Sequence, residues 1–166
     1  MERSIMKKTL RTRSSRLLGA LVLVTSLGLA PAARANSAFG MSYSGTFTSL
    51  KPAPAPPVFT TTDTLTGVGT QLGQFTGIYP HTLDLATGTF SGTATFTAAN
   101  GDKLFIVLGG TGSLTTFDIT LQGTIDGGTG RFEGAAGSVT GSGHVTLNSD
   151  NSGTVSATLL GQINLS

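Results

Sequence analysis

Along most of this chain apolar and hydroxylated residues alternate with a period of two. Phe39, Met41, Tyr43, Gly45 and Phe47 interleave with Gly40, Ser42, Ser44, Thr46 and Thr48, the signature of a strand with one oily and one wet face. The same grammar returns in Phe75, Gly77, Tyr79, His81, Leu83 and Leu85. It recurs in Phe90 to Ala98 against Thr89 to Thr97, in Phe117 to Ile125, and in Val155 to Leu165. Less regular strands are predicted over residues 58–70, 103–109 and 135–147. The expectation is an all-β fold of about eight strands with no helix.

The breaks between these runs carry turn chemistry. Asn100-Gly101, Asp126-Gly127 and the stretch from Asn148 to Gly153 supply residues that accept positive φ or cap their own backbone, so consecutive strands are expected to be antiparallel neighbours. Residues 51–57, KPAPAPP, differ: proline fixes φ and donates no hydrogen bond, so the segment reads as a stiff connection between the first two strands. Gly45, Gly77, Gly92, Gly123 and Gly161 all fall within the apolar series. Glycine there weakens a flat strand and permits the coiling that a narrow closed sheet requires. An antiparallel up-and-down barrel is therefore expected over residues 36–166, enclosing room for side chains or one small ligand. Pro80 lies mid-strand and should interrupt the ladder as a bulge or open edge.

Residues 1–35 read as a cleavable signal peptide. Cations crowd residues 1–16, residues 17–30 are apolar, and Ala33-Arg34-Ala35 places small residues at the cleavage positions. The apolar run is shorter than the roughly 20 residues that span a bilayer core, so no permanent membrane anchor is expected. Export to the periplasm or the exterior is the expectation. The leader also explains the formal net charge of +2. Beyond position 35 only Lys51, Lys103 and Arg131 face seven carboxylates, a net charge of −4. Three scattered cations cannot displace counterions from phosphates, so nucleic acid is not an expected partner. With no cysteine in its 166 residues, the chain can build no disulfide, no zinc–thiolate site and no thiol nucleophile.

Three strings carry a family resemblance. TQLGQFTG from Thr70, FTAANGD from Phe96 and GGTGRFEGAAG from Gly127 are similar to segments of exported bacterial proteins related to the allene oxide cyclase and dirigent barrels. The resemblance spans roughly residues 60–163 and implies an eight-stranded barrel with an apolar cavity, with homo-oligomers common among relatives. It transfers no catalytic group, because GGTGRF reads as a structural turn leading into a strand. Where the bacterial relatives would carry a histidine, this chain has Gln71, which speaks against a metal or acid–base role there.

Other motifs dissolve on inspection. GTGRFEG has its last glycine one residue late for a dinucleotide fingerprint, and no βαβ unit follows. The two GGTG strings at 109 and 127 lack the aspartates of a calcium-binding β-roll, with Leu114 and Phe132 in their place. NSDNSG lacks the closing glutamate of a calcium loop. No metal site and no cofactor is expected. Rows of threonine such as Thr89, Thr93, Thr95 and Thr97 are what any solvent-facing strand prefers.

The candidate ligand-binding residues are Tyr79, His81 and Arg131. His81 sits on an apolar series two residues after Tyr79, where it could hydrogen-bond within a cavity or exchange protons near neutral pH. Arg131 is the sole arginine after the leader, a planar five-donor group suited to a carboxylate. The facing of His144 is open, and no catalytic residue is assigned. The leading expectation is a noncatalytic exported barrel that binds a small apolar molecule or serves as an oligomeric interaction module. The alternatives are an isomerase or cyclase of allene oxide cyclase or dirigent type, and an envelope adhesion module that uses the hydroxylated exterior.

Overall fold

The computed structural model describes residues 36–48, 51–53 and 57–166; the expected leader, 1–35, lies outside them. The strands are β1 (Ser37–Phe47), β2 (Lys51–Pro52), β3 (Val58–Gly69), β4 (Gly73–Asp84), β5 (Thr89–Ala98), β6 (Lys103–Gly112), β7 (Asp118–Gly128), β8 (Ala136–Leu147) and β9 (Gly153–Asn164). From β3 onward each strand pairs antiparallel with the next through β9, which pairs with β1. The register Met41↔Gly69 through Phe47↔Asp63 joins β1 to β3 and closes an eight-stranded barrel. The period-two pattern and the glycine-bearing apolar series thus assemble as the expected closed antiparallel cylinder.

The short β2, outside the closed barrel, departs from the sequence reading. Lys51 and Pro52, expected within a plain proline-rich spacer, pair with Thr60 and Phe59 of β3, alongside the far half of the strand that β1 leaves uncovered. Proline is tolerated because this is an edge position that asks it for no donor.

Odd-numbered residues of β1, β3, β4, β7 and β9 and even-numbered residues of β5 and β6 point inward. Phe96, Leu65, Leu104, Ile106 and Leu159 are fully buried, and the outward positions are mainly Ser and Thr. The inward glycines let strands cross closely: a Cβ at Gly161 would overlap the Ser138 carbonyl oxygen of β8, and one at Gly45 the Thr64 carbonyl of β3. At Pro80 the β4–β5 ladder is interrupted between Ile78↔Thr95 and His81↔Gly92 without any change of register. The register shift occurs elsewhere, between Leu104 and Ile106 of β6. There Gly127, at φ 82°, ends the pairing of β7 with β8 while β7 runs on to Gly128 against Leu104.

The two ends of the barrel differ. At one, a 3₁₀ turn, Gly130–Phe132, leads toward β8 and sets Phe132 in the core with no exposed surface. Leu72, Ala135 and Ile163 are also buried at this end. The other end, where the β4–β5, β6–β7 and β8–β9 connections lie, contains a cavity.

Candidate functional site

The cavity has a volume of about 140 Å³. Its walls are apolar, with Leu83, Phe90, Ile119, Leu121, Val145 and Val155 among the lining residues. Leu114 and Leu147 form part of its rim and are 55% and 38% exposed, so the mouth presents oily side chains to solvent. Phe117 joins them. Its backbone is left-handed, φ 58°, a costly conformation for a bulky residue. Its N–H donates to the Ser113 carbonyl at 2.8 Å, and its own carbonyl accepts from the Val145 N–H at 2.9 Å. These two bonds hold the ring at the opening.

A small polar group is buried in the same cavity. Tyr79 and His81, both predicted from sequence, stand one inward position apart on β4, their rings stacked at 4.4 Å and 18°. The Tyr79 hydroxyl donates to the Leu108 carbonyl at 2.8 Å, and His81 Nδ1 lies 3.2 Å from the Tyr79 carbonyl. Burial pushes the Tyr79 hydroxyl above the ordinary phenol range and lowers the basicity of His81, the latter partly offset by the bond to the Tyr79 carbonyl.

The third member of this cluster was missed by the sequence reading. Asp63 of β3 is 6% exposed and lies between Phe47 of β1 and Tyr79 of β4 in the strand register. Its Oδ1 has no hydrogen-bond partner, and neither has the buried Oγ1 of Thr61, the next inward residue. His81 Nδ1 is 4.0 Å from Asp63 Oδ1. That is too far for a hydrogen bond, and burial acts on the two groups in opposite senses, favouring both neutral forms. It pushes the Asp63 carboxyl up to about 7. Tyr43, from β1, also lines the cavity, and burial followed by the nearby Asp63 charge raises its phenol above the usual range. The signal for Asp63 was present: counting back from Leu65 in steps of two places residues 63 and 61 inward. It went unread because the inward series Phe59, Thr61, Asp63, Leu65 is half polar.

Arg131 is not brought to this site. It projects at the closed end, where Nε is 3.7 Å from Asp102 Oδ2 and Nη2 donates to the Leu72 carbonyl at 3.4 Å. Its guanidinium carbon lies 4.9 Å from the Phe132 ring centroid. These contacts tether the 3₁₀ turn at that end. His144 faces outward, with Nδ1 donating to Asp118 Oδ1 at 3.1 Å across the β7–β8 ladder. Among the described residues no group of three His, Asp or Glu side chains is placed to hold a metal ion.

No family model matches the sequence, and no curated protein does. Among solved structures, the chain is similar to a pterocarpan synthase dirigent protein, with a TM-score of 0.48 and 11% identity over 80% of this chain and 93% of that one.

Proposed function

We propose that this protein is an exported barrel that binds a small apolar molecule bearing one polar end. The observation that carries the reading is the coincidence of an open-mouthed apolar cavity with buried polar atoms that have no partner, Asp63 Oδ1 and Thr61 Oγ1. Native interiors rarely leave such atoms unsatisfied, and a ligand group is one way to complete them. A cavity of about 150 Å³ is enough for a benzene-sized molecule, and an open mouth lets a longer body extend outward. Export rests on the three-part leader pattern. Titration with toluene, followed by amide NMR, tests the binding. Shifts should concentrate on Ile119, Leu121 and Val145 and vanish in Val145→Phe, whose ring occupies the cavity. Shifts scattered over the exterior, or unchanged in that variant, would refute it.

Asp63 also favours a second reading, an isomerase or cyclase. A carboxyl near half-ionisation at neutral pH, facing an apolar cavity, can give or take a proton from a confined substrate. Turnover of a candidate substrate should then fail in Asp63→Asn and in His81→Ala; retained turnover in both variants removes this reading.

A further inference from the structure

The functional reading leaves open which polar end the cavity accepts, and the arrangement around Asp63 narrows it. Among the residues lining the cavity there is no lysine and no arginine, and burial lowers the basicity of the His81 imidazole 4.0 Å from Asp63 Oδ1, so no standing positive charge in the walls faces the carboxylate. At pH 8, above the value of about 7 to which burial raises it, the Asp63 carboxyl is mostly ionised and its unpartnered Oδ1 only accepts hydrogen bonds, while the unpartnered hydroxyl of Thr61 can accept or donate one. The hydroxyl of Tyr79, by contrast, is already committed to the Leu108 carbonyl. The ionised Asp63 therefore asks its ligand for a donor, and Thr61 can take a second.

The cavity that holds the carboxyl is also rich in aromatic rings. Phe47 and Tyr79 are its neighbours in register on the two flanking strands, and Tyr43, Phe90 and Phe117 line the same space. Ring faces are negative and attract cations, the more so when water is excluded. A neutral alcohol would satisfy one acceptor and gain nothing from the rings, whereas an ammonium carries up to three donors and a charge that both the carboxylate and the rings favour. The excess of carboxylates over cations beyond residue 35 adds a weak long-range attraction of the same sign.

Building on the apolar-ligand reading, we propose that the cavity is a site for a small primary amine with an apolar or aromatic body, its ammonium seated against Asp63 and Thr61 among the rings of Phe47, Tyr79 and Tyr43. The body lies against Leu121, Val145 and Val155, toward the mouth. Burial without a counter-charge is what holds the Asp63 carboxyl up at about 7, and a bound cation supplies the counter-charge, drawing the carboxyl back toward its ordinary value.

The test compares three probes of similar shape, benzylamine, benzyl alcohol and toluene, by calorimetric titration of the purified chain at pH 8. Benzylamine should bind about tenfold or more tightly than either neutral probe, the size expected when a buried charge gains its partner. Asp63→Asn should abolish that preference. On the unmodified protein, the Asp63 carboxyl ¹³C resonance should titrate at lower pH in saturating benzylamine and not in saturating toluene, a measurement that does not depend on how the variant folds. Toluene binding with no preference for the amine, or an unshifted carboxyl titration under benzylamine, overturns the amine assignment and leaves the apolar-ligand reading intact. Failure of all three probes to bind overturns both.

Discussion

Replacing Asp63 by asparagine removes an ionisable group from the barrel interior while keeping its shape and its capacity to hydrogen-bond. Burial lifts the folded-state pKa from 3.8 to about 7, so between those values the folded protein binds more protons than the unfolded chain. The carboxyl's contribution is then fully present below pH 3.8 and is lost as the pH rises to about 7, with no further change above. A shift of roughly three units corresponds to about 4 kcal/mol as an upper figure, and relaxation of the open-mouthed site brings the expected loss to roughly 2–4 kcal/mol. Asparagine cannot ionise, so the variant escapes this loss. The assay is urea unfolding, followed by circular dichroism, of both proteins at pH 4, 5.5, 7 and 8.5. The stability of Asp63→Asn relative to the parent should climb steadily from pH 4 to 7 and then level off. The neighbours that face Asp63 do not disturb the comparison. Tyr43 and Tyr79 are held above the ordinary phenol range and stay neutral throughout. His81, with its pKa lowered by burial, loses stability as the pH falls below 6.5 through its folded value, and it does so in both proteins. A difference that stays constant across the pH series, or one that falls with rising pH, would refute the claim that this carboxyl is buried without a counter-charge.

Three further outcomes follow from the packing. Gly161→Ala forces a methyl group onto the Ser138 carbonyl oxygen, a backbone atom of the adjoining strand that no rotamer change can move; a loss of about 2–4 kcal/mol in chemical denaturation is expected. Tyr79→Phe deprives the Leu108 carbonyl of a buried donor at 2.8 Å and should cost about 1–2 kcal/mol by the same measurement. Arg131→Ala should leave toluene binding unchanged, because the guanidinium is at the opposite end of the barrel; its half-exposed contact with Asp102 is worth about 1 kcal/mol or less, read as a small fall in unfolding midpoint.

Much of the fold was legible in the chain because strand alternation and inward glycine are local properties. Phe39 to Phe47 and Val155 to Leu165 announce their facing without reference to any partner, since successive side chains on a pleated strand must point to opposite sides. The inward glycines Gly45 and Gly161 likewise forecast tight coiling, and Tyr79 and His81 were marked as interior by their place in an apolar series. Tertiary structure decided the remainder. Closure depends on which register β1 takes against β3, a pairing of segments some twenty residues apart that no local pattern encodes, and the same pairing leaves the half of β3 where Lys51 and Pro52 dock. The polar centre needed three strands at once: Asp63 becomes a buried carboxyl whose Oδ1 has no partner only because β1 and β4 place Phe47 and Tyr79 on either side of it. Arg131 shows the converse, a chemically apt side chain that the winding of the barrel carries to the end away from the cavity. Sequence fixes which face a residue takes along its own strand; only the closed sheet determines which faces meet, and electrostatic consequence follows from the meeting.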